Sequence, residues 1–150
     1  MLGRASRVAG RLHVGATARA VLRGASRPVL LLRRPLGSRG AVVAAAPAPG
    51  EGDAALQAAV AWAQALDAPL VALARPGGEA AETDRALAAL GAHGRIRLWT
   101  QDVPRAAALV ETVRSERGEL LVLDVTRDVH DGAELQQILC ETDVSLLLVR

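Results

Sequence analysis

One helix-strand ending is written into this chain twice. Residues 18–33 read ARAVLRGASRPVLLLR and residues 135–150 read LQQILCETDVSLLLVR, each a helical stretch followed by an aliphatic strand that closes on an arginine, Arg33 or Arg150. A Gly-Ala pair stands at the same distance upstream of each, Gly15-Ala16 and Gly132-Ala133. Self-similarity at a fixed offset marks a repeated structural unit. The later copy completes a fold, and the earlier one precedes it. We therefore expect two parts: residues 1–36 as the C-terminal helix-strand remnant of one domain, and residues 37–150 as a divergent domain of the same kind.

From Ala41 onward, short apolar runs alternate with helical stretches, the pattern of a parallel sheet covered by helices on both faces. Residues 41–46 read as the first strand, followed by a loop with Pro47, Pro49, Gly50 and Gly52 that ends at Asp53, an expected helix N-cap. The helix runs to about Leu66, with Leu56, Ala59, Val60 and Ala63 on one side. Residues 69–74 form a second strand, and Arg75-Pro76-Gly77-Gly78 turns the chain into a helix over 80–90 that Gly91 closes. In RIRLWT, residues 95–100, Ile96 and Leu98 alternate with Arg95, Arg97 and Trp99, which predicts a strand with one exposed face near the sheet edge. Pro104 suits the first turn of a third helix, with Asp102 as its cap and Gly118 as its stop. Residues 120–125 are the fourth strand, and the second copy of the ending supplies the last helix and the fifth strand.

Composition restricts what can pack. The chain has no Phe or Tyr and only Trp62 and Trp99 as aromatics, so Ala, Leu and Val must build the core. The formal net charge of +2 hides a segregation: residues 1–50 carry nine Arg and no acid, whereas residues 51–150 carry nine Arg against sixteen acids, or −7. A basic segment of this kind binds an anionic partner or lies on its own acidic neighbour. The lack of aromatic residues interleaved with the arginines argues against nucleic acid. A single cysteine, Cys140, excludes an internal disulfide and a thiolate metal cluster. No apolar run approaches the roughly 18 residues of a membrane span, and the cytoplasm is the expected location. The acid-free opening, with Arg4, Arg7 and Arg11 on one face if helical, also has the composition of an organellar targeting peptide.

This order of elements, with GATARAVLRGASRPVLLLR at one end and RAAALVETVRSERGELLVLD further on, resembles the universal stress protein (UspA-like) family. The resemblance implies an open five-stranded parallel α/β sheet in the order 3-2-1-4-5, as in the adenine nucleotide alpha hydrolase-like fold. It also implies a degenerate tandem member whose extra helix-strand lies at the sheet edge, with residues 28–33 antiparallel beside residues 144–150. Val29, Leu30, Leu31 and Leu32 would then be buried, and a protein partner or a second copy would engage the last-strand edge.

In that family a glycine pattern, Gly-x-x-Gly followed about nine residues later by Gly-Ser or Gly-Thr, holds phosphate. Glycines let backbone N–H groups turn toward an anion at a helix N-terminus, and the hydroxyl adds a donor. Here Gly3, Gly15 and Thr17 are the candidate cofactor-binding residues, with Arg4, Arg7 and Arg11 nearby; yet Ser6 stands where the second glycine belongs, and Thr17 is one place late. In the second copy Asp124-Val125-Thr126-Arg127-Asp128 occupies the glycine position. Two like charges about 4 Å apart at an effective dielectric near 20 oppose each other by roughly 4 kcal/mol, or about three decades of affinity. The acid that the family places after the first strand, beside adenosine, is replaced by Ala45, Ala46 and Pro47.

No serine triad, zinc motif or Walker loop is present, so neither catalytic residues nor a metal site is expected. Asp124, Asp128, His130 and Asp131 cluster after a parallel strand, but read as a solvated loop opening the last helix; His13 and His93 lack ligand-spaced partners. Cys140 reads as an unreactive helix residue, and Trp99 as either a helix cover or a partner surface. The expected function is that of a non-catalytic stress-response regulator without a cofactor, acting through protein contacts. The alternatives are an ATP-binding member that uses the N-terminal Gly/Arg loop, and a precursor with a targeting peptide.

Overall fold

A computed structural model describes residues 6–8, 11–13, 20–21, 24–37, 39–46, 53–100, 102–124 and 133–150. Its strands, in chain order, are β1 (Ser6–Val8), β2 (Arg11–His13), β3 (Val29–Leu31), β4 (Val42–Ala45), β5 (Leu70–Ala74), β6 (Arg95–Leu98), β7 (Leu120–Asp124) and β8 (Ser145–Val149). Among the described residues, four helices, α1 (Ala54–Leu66), α2 (Gly78–Ala89), α3 (Arg105–Ser115) and α4 (Ala133–Glu141), alternate with β4 to β8. The main sheet has the order β3-β8-β7-β4-β5-β6. Its five later strands are all parallel, in the expected 3-2-1-4-5 arrangement. The sixth, β3, is antiparallel on the β8 edge, pairing Val29 with Leu148, Leu30 with Leu147 and Leu31 with Leu146.

Continuous apolar strands arise because both faces of the sheet are covered. Val43, Val71, Leu121 and Leu146 turn toward α3 and α4, whereas Val42, Ala72, Leu120 and Leu147 turn toward α1 and α2. Every residue of β4, β5, β7 and β8 is buried. Alternation in β6 has the opposite cause: it is the far edge strand, where Arg95 and Arg97 pair with Glu116 at the end of α3 and Leu98 stays exposed.

Several local expectations are corrected. Residues 6–8 and 11–13 form a two-stranded antiparallel ribbon beside α4, an addition to the expected helix-strand remnant. Leu32 is 58% exposed, while Val29, Leu30 and Leu31 are half-buried; pairing ends at Leu31, so Leu32 has no strand opposite it. Asp53 occupies the N-cap position of α1, but its carboxylate accepts from Gln57 Nε2 instead of capping an amide. Pro104, not Asp102, precedes the first residue of α3.

Helix ends follow one device. Gly91 (φ +62°) closes α2 as expected, with the Ala92 amide donating to Leu87 O and the Gly91 amide to Ala88 O. Asp67 (φ 50°) makes the same closure at α1, and Arg117 (φ 53°) makes it at α3. Gly118 is thus one place past the left-handed residue, where an added Cβ would press on Val43 and Val113.

Candidate functional site

In an open parallel sheet a ligand crevice forms at the carboxyl ends of the strands where the winding reverses, because the flanking loops diverge there. In this chain that point lies between β4 and β7. On the β4 side it offers Ala45 and Ala46, both buried, and the Ala46 amide is already committed to Leu73 O at 2.8 Å. On the β7 side it offers Asp124, buried at the strand end opposite Val149. Beside it, the first turn of α2 is closed by its own Glu79, whose carboxylate accepts from the Arg75 amide and from Arg75 Nε. The described part of the crevice therefore contains the methyl groups of Ala45 and Ala46, the carboxylate of Asp124, and a Glu79 carboxylate already paired with Arg75.

Gly3, Gly15 and Thr17, together with Arg4, lie outside the described residues, as do Glu51, Thr126, Asp128, His130 and Asp131. Arg7 and Arg11 fall in β1 and β2, and His13 ends β2. His93 is exposed on the α2–β6 loop and lines a shallow cavity of about 240 Å³ with Val60, Ala63, Gln64 and Leu70. That cavity opens at the amino end of β5, remote from the crevice at its carboxyl end. Cys140 is exposed and accepts from Gln136 Nε2 at 3.1 Å. Trp99 is half-buried against the α3–α4 layer. Among the described residues no group of three His, Cys, Asp or Glu is placed to hold a metal ion, and no helix is long and apolar enough to cross a membrane.

Among the described residues, a dense set of long-range polar contacts lies at the opposite end of the sheet, where the segment after β3 meets the starts of β8 and β7. The Arg33 amide donates to Ser145 Oγ at 3.1 Å, and that hydroxyl donates to Arg34 O at 3.4 Å. Arg33 Nη1 donates to Leu139 O at 2.8 Å and Thr142 O at 2.5 Å, and Nη2 to Asp143 Oδ1 at 3.3 Å. Arg34 Nη2 donates to Gly118 O at 2.9 Å, and the Gly37 amide to Glu119 Oε2 at 2.8 Å. Helix carbonyls left without intrahelical partners take a cation well. This strap was not anticipated, although two signals were available: an arginine closing an aliphatic strand, and a serine, Ser145, inside another.

No protein-family model and no curated protein matches the sequence. Solved structures do match. A universal stress protein from Archaeoglobus fulgidus, in complex with dAMP, superposes with a TM-score of 0.59 at 13% identity over 77% of this chain and 100% of that one. A second structure of universal stress protein from that organism gives 0.57 at 13% identity, over 75% and 95%. A functionally unknown protein from Pseudomonas aeruginosa PAO1 gives 0.62 at 18% identity, over 93% of this chain but 57% of that one. Similarity at this level identifies architecture, and the architecture of this chain is that of the universal stress proteins.

Proposed function

We propose that this chain is a degenerate universal stress protein relative that acts without catalysis, through protein contacts, as a regulator or a component of a stress-response assembly. The observation that carries this reading is the crevice between β4 and β7, where buried Ala45 and Ala46 stand at the end of β4 and buried Asp124 at the end of β7. In this reading β4 offers a ribose no carboxylate, and β7 ends on the carboxylate of Asp124 where the family carries glycines. Isothermal titration of the full chain with ATP, ADP and AMP is expected to give no binding in the micromolar range, and micromolar binding would overturn the reading.

A second reading is supported by the dAMP held by the archaeal protein of the same fold. In it, the N-terminal loop with Gly3, Gly15 and Thr17 takes a nucleotide, with a partner completing the pocket. Arg4→Ala and Thr17→Ala should then each weaken a measured nucleotide affinity about tenfold or more; unchanged affinity in both sinks that reading.

Residues 1–36 fit the remnant of a preceding domain. Support comes from β3, which adds an antiparallel strand where a neighbouring domain would contribute one. The Pseudomonas aeruginosa protein adds to this, since a match over 93% of this chain reaches into its first 40 residues.

A further inference from the structure

The main sheet ends at β6, and among the described residues no strand lies beyond it. The Trp99 amide donates to Ala74 O at 3.1 Å, so the backbone of Trp99 faces β5. In a parallel pair every second residue directs its backbone groups to the neighbour, so Arg97 faces β5 as well. The N–H and C=O groups of Ile96 and Leu98 therefore point outward, and such a row is a template for another strand.

The two faces of this edge differ in chemistry. Arg95 and Arg97 stand on the side of α3, where both pair with Glu116, Arg97 Nη1 at 3.2 Å. The Glu116 side chain is 14% exposed and that of Arg95 66%. One enclosed carboxylate thus serves two guanidiniums and leaves a positive charge in excess at the surface. Ile96 packs with the α1–α2 layer; Leu98, two residues on, shares its side and is 55% exposed.

Residues opposed on neighbouring strands share a face of the sheet. A strand added to β6 sets alternate residues beside Arg95 and Arg97 and the intervening ones beside Ile96 and Leu98. Carboxylates suit the first set and aliphatic side chains the second. Neither facing of a second copy's β6 fits: one opposes arginine to arginine, and the other opposes arginine to Ile96 and Leu98.

We propose that the outer edge of β6 is a docking site for an extended segment of a partner protein in which acidic and aliphatic residues alternate. The segment adds a strand through the backbone of Ile96 and Leu98, which supplies affinity, while Arg95, Arg97 and Leu98 read its side chains. This inference rests on the protein-contact reading and gives the partner's chemistry; nucleotide titration tests that reading and peptide binding tests this one, so each can fail alone.

The test is fluorescence anisotropy of short dye-labelled peptides titrated with the full chain at low salt. The probe alternates valine with glutamate; the controls are a shuffled peptide of the same composition and one that alternates valine with lysine. The probe is expected to bind with a Kd below about 1 mM, at least about tenfold tighter than either control. Leu98→Pro removes an outward amide and leaves the ladder with β5 intact, as proline on an edge strand can. Arg95→Glu reverses an exposed charge and decides the matter if Leu98→Pro fails to fold. Each should weaken binding about tenfold or more. With the probe bound, the amides of Ile96 and Leu98 should gain more protection from hydrogen exchange than those of Arg97 and Trp99, which already face β5. No binding of the probe, equal binding of the shuffled peptide, unchanged affinity in both variants, or protection gained at β3 instead of β6 overturns the proposal.

Discussion

At the scale of single residues, the underside of the sheet separates contacts that matter from contacts that merely exist. Arg33 has a side chain 10% exposed whose acceptors include Leu139 O, Thr142 O and Asp143, and Asp143 is 83% exposed. Hydrogen bonds from a charged donor to enclosed carbonyls contribute about 1.5–3 kcal/mol, while an ion pair open to water contributes about 0–1. Arg33→Ala is therefore expected to lower unfolding free energy by about 2 kcal/mol and Asp143→Asn by less than about 0.5. Urea denaturation of the two variants checks the contrast, and equal losses would refute it. Gly40 offers a sterically sharper case, since an added Cβ would fall well inside van der Waals contact of Arg117 O and Glu119 Cγ. Backbone has to move, so Gly40→Ala should cost about 1–3 kcal/mol by the same measurement. Gly24→Ala, with nothing within 4 Å of its Cβ, should cost far less.

At the scale of elements, the helix ends carry a correctable strain. Asp67 and Arg117 hold left-handed backbone at the ends of α1 and α3, where glycine takes the position without a Cβ clash. Asp67→Gly and Arg117→Gly are each expected to raise the denaturation midpoint by about 0.5–1 kcal/mol equivalent, the relief of strain being partly offset by the freer unfolded chain. A lower midpoint in both would contradict that assignment. These ends also mark where sequence reading stops. The doubly covered strands were legible because burial on two faces leaves an unbroken aliphatic run, and β6 because an edge strand alternates. Asp67 was not legible, because nothing local distinguishes an aspartate that must adopt positive φ; Gly118 misled, because a glycine packed against Val43 and Val113 resembles one that ends a helix. The alanines of the crevice could be read from position after a strand. The partners of Arg33 could not, because they depend on which residues of two distant segments face each other, although an arginine closing an aliphatic strand and Ser145 inside another were signals that such a contact exists.

At the scale of the whole molecule, the two helical layers share one set of strands, and that sharing determines how the molecule unfolds. β4, β5, β7 and β8 are buried on both faces, so neither layer can separate without exposing the strand residues it covers. At about 25 cal/mol per Å² of apolar surface, exposing even one face costs more than a small domain's net stability can supply. The two tryptophans happen to sit on opposite sides, Trp99 against the α3–α4 layer and Trp62 against the α1–α2 layer. Each single-tryptophan variant, Trp62→Leu or Trp99→Leu, therefore reports one layer by fluorescence, and circular dichroism reports both. The expected outcome is that within each variant the fluorescence and dichroism transitions in urea coincide, as a two-state unit requires. Noncoincident transitions, with Trp99 losing its environment before the helices melt, would mean that the α3–α4 layer and the strap it anchors come away while α1 and α2 hold the remaining strands.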